Sequence, residues 1–251
     1  MIELEAAGQT VYLNDDLLRS RQPVGMSLSG GADSALLFYL ACKYVPEAKY
    51  FPWCGIDVAR PPHIWFAREI FQMMKERFPH VDIPDKLYEF DIDVKDPKER
   101  ARAMAHPMWK HHVAESKEGG ATKRLICAHN EMLMRHKYKY WNIFLNGMTA
   151  APPQEICETW PIFVESRRYK VNLDGETFLN NVNYRPFRNV DKKWVAGMYE
   201  KEGLMEWLYP YTASCTGYQK ETKSFTEPCK NCFWCREKYW AFGQYDLCFD
   251  R

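Results

Sequence analysis

The sequence carries almost no net charge: 34 lysines and arginines stand against 33 aspartates and glutamates. No overall field therefore gathers nucleic acid or an anionic membrane around the molecule, and contact with nucleic acid would need a local patch. No apolar run approaches membrane-spanning length. The N-terminal stretch lacks the basic start, apolar segment and small-residue cleavage site of a secretory signal, so a cytoplasmic protein without a membrane partner is expected. No segment recurs with a period of roughly 20 to 50 residues, which argues against a solenoid or propeller. Aromatic residues are plentiful but separated by polar ones, so there is no low-complexity tract. The nine cysteines are an odd number, which leaves a pure disulfide scheme one thiol over.

The 251 residues suffice for one α/β core with appended loops or a small second module. Residues 2 to 13 suit a short hairpin. Val24 to Leu28 reads as a buried strand running into Ser29-Gly30-Gly31, and residues 32 to 44 as a helix with Ala35, Leu36, Tyr39 and Leu40 on its packed side, ending before Pro46. A strand over Tyr50 to Ile56, a helix opened by Pro61, and a strand over Lys86 to Ile92 follow. Helical stretches are expected near 98 to 117, divided by Pro107, and 121 to 138, then a strand over Asn142 to Asn146. Alternating strands and helices predict a Rossmann-like parallel sheet with helices on both faces. Residues 1 to 204 are read as this core, with an irregular excursion near 151 to 185. Lys192 to Glu202 forms a helix stopped by Gly203. Residues 205 to 251 hold too few aliphatic residues to fold alone and are read as a metal-braced segment packed on the core.

Two local patterns carry chemistry. A glycine pair straight after a buried strand lets the backbone turn sharply, and the helix that follows offers unpaired N–H groups and positive dipole charge, which is an anion site. Ser29 and Ser34 can donate hydroxyl hydrogen bonds to phosphate. Asp33 is out of place against an anion unless it holds Mg²⁺ or shapes the loop, and a plain turn with an N-cap aspartate is the bland alternative. The second pattern is Cys229-Lys-Asn-Cys232-Phe-Trp-Cys235, with Cys215 upstream to complete four thiolates for one tetrahedral ion. Zn²⁺ is the expected occupant in a closed, structural site. Iron–sulfur ligation is the rival, although Cys235 lacks the x₃-Cys-Pro continuation of ferredoxins.

The full run Ser29-Gly-Gly-Ala-Asp-Ser34 resembles the PP-loop signature of N-type ATP pyrophosphatases and lacks the Lys-Ser/Thr ending of a Walker loop. That resemblance implies ATP cleaved between its α and β phosphates, with Mg²⁺, and AMP transferred to a substrate oxygen. It places the nucleotide against Ser27, Leu28, Ser29, Gly30, Gly31, Asp33 and Ser34, with the adenine near Cys54, Gly55 and Ile56 at the end of the second core strand. Taken with Ser214-Cys215-Thr216, the Cys229/Cys232/Cys235 run before Arg236, the Arg185-Pro186-Phe187 and Asp191-Lys192 segments, and Ala241-Phe242-Gly243, the chain resembles the 7-cyano-7-deazaguanine synthase family. The likeness covers roughly residues 24 to 70 and 184 to 246. It implies a homodimer that adenylates 7-carboxy-7-deazaguanine, lets ammonia displace AMP, and activates the amide again to form the nitrile. Catalytic roles would fall to Asp33, Ser34 and Lys192, the last offsetting charge on pyrophosphate. The family's Ser-Gly-Tyr-Pro-Asp-Cys-Arg stretch is absent. Gly147 leads instead into Met148-Thr-Ala-Ala-Pro-Pro-Gln-Glu155, which leaves the acceptor open.

The remaining polar residues divide less sharply. His129, Arg135 and His136 share a helical stretch with Leu125, Met132 and Leu133 and read as core-edge or solvated. His106, His111 and His112 lack partners at ligand spacing. Asp57, just past a strand, could touch ribose or magnesium or simply cap a turn. Lys137, Lys139, Tyr138 and Tyr140 form a short basic and aromatic run, a solvated face or a stacking patch for RNA. Two other function classes remain open. One is a PP-loop tRNA-modifying sulfurtransferase or lysidine-type ligase, or a relative of the synthase in a phage or defence pathway. The other is a nucleotide-binding partner without catalysis. A sulfurtransferase needs a reactive thiol, for which Cys54, Cys127 and Cys157 are the candidates and no Cys-x-x-Cys pair lies outside the metal cluster.

Overall fold

The computed structural model describes residues 1–57, 62–92, 130–131, 133–157, 178–180, 182–217 and 220–247. Strands β1 (Ile2–Ala6) and β2 (Gln9–Leu13) form an antiparallel hairpin, turned at Ala7 and Gly8. A helix that the periodicity does not announce, α1 (Asp15–Ser20), follows, and the Asn14 side chain accepts from the Leu17 N–H to cap it. The core then alternates as expected: β3 (Val24–Ser27), α2 (Ala32–Tyr44), β4 (Tyr50–Ile56), α3 (Pro62–Arg77) and β5 (Tyr88–Asp91). Next come β6 (Ile143–Leu145), β7 (Phe178–Asn180), β8 (Asn183–Tyr184), α4 (Lys192–Lys201) and α5 (Phe233–Phe242).

Six strands lie in the order β5-β4-β3-β6-β8-β7. Strands β5, β4, β3, β6 and β8 are parallel to one another, and β7 closes the edge antiparallel to β8. The chain builds outward from β3 to one side and resumes on its other side with β6. In an open parallel sheet such a reversal leaves a crevice at the carboxyl ends of the strands, here between β3 and β6.

Alternation along the strands assigns the two faces. Val24, Met26, Tyr50, Cys54, Ile143 and Leu145 belong to the main apolar cluster, which also takes in residues of α2, α3 and α4. Trp53, Phe90 and Phe144 point the other way and meet Trp141 and Met134 in an aromatic layer. Met134 sits in a single wide turn, Leu133–Lys137, where a longer helix is expected, and it is Met134 rather than Leu133 that is buried. The expected helices over 98 to 117 and 121 to 129 lie outside the described residues, as do His106, His111, His112, Cys127 and His129. The stretch read as an excursion returns to the sheet, because its last residues are β7 and β8. Of the rest, a one-turn helix at Gln154–Cys157 is described.

Candidate nucleotide site and cysteine cluster

The loop between β3 and α2 sits at the crevice. Gly30 has φ +76, and a Cβ there would lie 2.5 Å from the His63 carbonyl oxygen at the start of α3, so the turn requires glycine. Gly31 is the N-cap of α2 and offers no side chain to its first N–H groups, which leaves them for a ligand. The Ser34 hydroxyl donates to the Gly31 carbonyl (3.0 Å), accepts from the Ser29 N–H (3.2 Å) and lies 3.1 Å from the Ser29 hydroxyl. The two serines thus brace the loop they were expected to equip. Ser27 ends β3 beside Trp53, and the Leu28 N–H donates to the Trp53 carbonyl at 2.8 Å, which brings Cys54, Gly55 and Ile56 alongside at the end of β4. Cys54 is buried in the core, and Asp57 is buried just beyond the strand.

Asp33 is not the helix cap. It lies inside the first turn of α2, and its Oδ2 accepts from Lys192 Nζ at 2.5 Å. Its Oδ1 is buried and accepts no hydrogen bond. Lys192 opens α4 but is only 4% exposed, so it is not a solvated helix-start lysine. Glu237 Oε2, on α5, stands 3.7 Å from the same ammonium. The Tyr199 hydroxyl donates to the Ala32 carbonyl at 3.0 Å, a second tie between α4 and the start of α2. On the far side of the crevice Gly147 follows β6 so closely that a Cβ would come within 2.9 Å of the Asp33 carbonyl oxygen.

The four cysteines converge. The sulfurs of Cys215, Cys229, Cys232 and Cys235 lie within 4.8 Å of one another, with Cys229 and Cys235 at 3.9 Å. Bonds of about 2.3 Å to one tetrahedral ion imply sulfur separations of roughly 3.8 Å. The set therefore fits a single metal ion more closely than a multi-iron cluster, which must seat its irons and sulfides inside the thiolates. Backbone N–H groups of Gly217 and Cys229 donate to Cys215 Sγ, that of Cys232 to Cys229 Sγ and that of Cys235 to Cys232 Sγ, a pattern that stabilises thiolates. With protons in place of an ion the thiols compete. Cys215 is pushed up to about 12, chiefly by its hydrogen bond with Cys232, while that bond pulls Cys232 down.

The cluster adjoins the loop between β3 and α2. The Ala213 N–H donates to the Gly30 carbonyl (2.8 Å), and His63 Nε2 lies 3.0 Å from the Cys215 carbonyl. Asp246 Oδ2 accepts from the N–H groups of Ser214 and Cys215, both at 3.0 Å. Its other oxygen pairs with the buried Lys238, which also donates to Thr212 Oγ1 at 3.0 Å. Burial lowers the Lys238 pKa, and the Asp246 carboxylate opposes that shift. Sequence reasoning missed Glu237, Lys238 and Asp246. The usable signal for the first two was the run of three charged residues, Arg236, Glu237 and Lys238, straight after Cys235 on a helix rich in aromatic residues.

Other candidates stand apart. Arg135 and His136 lie on the wide turn, His136 exposed. Tyr138 stacks on Tyr140 (5.3 Å between ring centres), with Lys137 over Tyr138 at 5.2 Å, and Lys139 is exposed beside them. The Cys157 side chain lies outside the described residues.

No family model matches the chain, and no curated protein matches it in sequence. Solved structures similar to it include the NMN synthetase of Francisella tularensis (TM-score 0.46, 13% identity, covering 90% of this chain and 82% of that one). The NAD+ synthetase of Burkholderia pseudomallei is comparable (0.45, 15%, 92% and 77%). So is the U34-tRNA thiolase NcsA of Methanococcus maripaludis, solved with its 4Fe–4S cluster (0.42, 14%, 97% and 87%). These likenesses are too distant to carry substrate or chemistry across. Among the described residues no helix is long and apolar enough to cross a membrane.

Proposed function

We propose that the chain is an ATP-dependent carbon–nitrogen ligase of the PP-loop type, which adenylates a carboxylate and lets ammonia displace AMP. The observation that carries this reading is the glycine turn at the sheet's switch point. There the uncapped N-terminus of α2 meets a buried ammonium, Lys192, held by Asp33. Nucleotide phosphates would lie against the backbone N–H groups of the loop from Ser29 to Ser34, with the base towards Cys54, Gly55 and Ile56. Lys192 would offset charge developing on the departing pyrophosphate. Asp33 Oδ1, buried without a donor, suits a water or ion of the Mg²⁺ that accompanies ATP.

The acceptor that the sequence resemblance favours is 7-carboxy-7-deazaguanine. A carboxylate oxygen attacks the α-phosphorus and pyrophosphate leaves; ammonia then adds to the acyl carbon, AMP departs and a proton is lost, giving the amide. A second ATP adenylates the amide oxygen, and loss of AMP and the remaining N–H protons leaves the nitrile. Zn²⁺ in the four-cysteine set would brace residues 205–247 as a cap on the core and take no part in these steps. Of the three thiols that a transfer chemistry could use, Cys54 is buried, and Cys127 and the Cys157 side chain lie outside the described residues.

Purified protein incubated with ATP, Mg²⁺, ammonium and 7-carboxy-7-deazaguanine should yield AMP and the nitrile by mass spectrometry, with both lost in Asp33→Asn. Zinc-loaded, ATP-binding protein that converts none of the acid would overturn this acceptor. Protein that does not bind ATP would overturn the whole reading.

A further inference from the structure

The crevice has a second wall, and it is cationic. Beyond β8 the chain enters a 3-10 turn, Pro186–Asn189, with Arg185 at its N-cap and Arg188 three residues on. The turn brings the two guanidinium groups to one neighbour. Both reach Met148: Arg185 Nη1 lies 3.9 Å and Arg188 Nη1 3.8 Å from its sulfur. Met148 follows Gly147, whose backbone abuts Asp33 in the first turn of α2. The arginine pair therefore stands at the carboxyl ends of β6 and β8, across the switch point from the strand that would carry the adenine.

The platform under the pair is built rather than incidental. Asn146 Oδ1 accepts from the Met148 N–H at 2.8 Å, and the Ala150 N–H donates to the Val190 carbonyl at 2.7 Å, which locks the loop after β6 to the loop after β8. The Tyr184 hydroxyl donates to the Tyr12 carbonyl and accepts from the Asn14 N–H, fixing the end of β8. Arg188 is 9% exposed. Desolvation, with Arg188 adding to it, lowers the Arg185 pKa. Glu131, which precedes the wide turn, interacts with Arg185: burial pushes its carboxyl up to about 7, with Arg185 opposing.

We infer that Arg185 and Arg188 bind the carboxylate of the acceptor and present one of its oxygens to the α-phosphorus of a nucleotide held on the Ser29–Ser34 loop. This rests on the adenylating function proposed above and deepens it. The layout along the sheet edge is then base over β4, phosphates after β3, and acceptor acid over β6 and β8. Paired guanidinium groups recognise an anion and gain little from the neutral amide. The pair therefore acts on the acid and is nearly indifferent to the amide of the same compound.

The test uses full-length protein saturated with α,β-methylene-ATP, and measures calorimetrically the dissociation constants of heteroaromatic acids, 7-carboxy-7-deazaguanine among them, and of their amides. Arg185→Met and Arg188→Met should weaken binding of the acid roughly 10- to 100-fold, leaving the amide and the ATP analogue within about twofold. Arg188→Lys, which keeps the charge, should recover part of the loss and guards against a variant that fails to fold. Acid and amide weakening together, or analogue affinity falling in step, overturns the inference, as does a wild-type protein that prefers no acid to its amide. Preference for an acid other than the deazapurine overturns the proposed acceptor alone. Failure to bind the analogue overturns the nucleotide site, and this inference with it.

Discussion

Lys192 Nζ and Asp33 Oδ2 lie 2.5 Å apart although 159 positions separate them in the chain. One residue starts the last core helix and the other sits in the first turn of the helix that follows the phosphate loop. Their contact, more than either residue alone, makes the loop part of a site.

Removing either partner should cost more than removing both. Lys192→Met leaves an anion partly buried without its cation, and Asp33→Asn leaves an ammonium facing Glu237 alone. A double-mutant cycle by urea denaturation should return a coupling energy of about 1.5–3 kcal/mol. Additive losses would mean that the pair contributes nothing specific to folding. Each single variant should also lower ATP turnover by about a hundredfold.

Chelation should reach the nucleotide through the backbone. Cys215 is joined to the loop by its own carbonyl contact with His63 and by the neighbouring Ala213 bond to Gly30. Metal analysis should find one zinc per chain, and metal-stripped protein or Cys229→Ser should melt lower and bind the ATP analogue at least about tenfold more weakly. Analogue affinity that survives complete stripping would dismiss the coupling, and a brown iron–sulfur chromophore would dismiss zinc.

Glu131 gives a pH signature of definite sign. Burial raises its carboxyl from an ordinary 4.5 to about 7, so the folded state holds a proton that the unfolded chain has already released. Its contribution to stability is complete below about pH 4.5 and is lost as pH rises through about 7. Glu131→Gln removes this loss. The variant's stability relative to wild type should grow between pH 5 and pH 8, reaching on the order of 2–3 kcal/mol. Parallel denaturation curves at the two pH values would refute it.

Gly30→Ala is expected to be among the most damaging single-methyl changes. It combines a positive φ of +76 with a 2.5 Å approach to a backbone oxygen. A stability loss of about 2 kcal/mol or more and loss of analogue binding should appear together in thermal melts and titrations. Normal binding in a stable variant would show that the loop has another way to turn.

The parallel core was legible because its elements are punctuated: Val24 to Leu28 is apolar and ends at two glycines, and Tyr50 to Ile56 is an uninterrupted strand. The four-cysteine cluster was legible because three of its members are spaced by two-residue gaps. Glu237, Lys238 and Asp246 were not, because a charge buried by a partner from another segment looks, in one dimension, like any solvated charge. The arginine pair shares that difficulty. Its spacing of three carries meaning only once both guanidinium groups are seen to meet Met148 from a distant segment. Helix α1 was hidden by its brevity, since six residues give too little periodicity to detect.

Two of the bonds that hold the loop and the first turn of α2 come from residues far downstream, at Lys192 and Ala213. During synthesis the loop emerges early and waits. The loop gains these two contacts only when the segment from α4 to Ala213 has been made and has docked. A nascent chain that reaches only as far as β8 would carry the loop without the two contacts that fix it from outside.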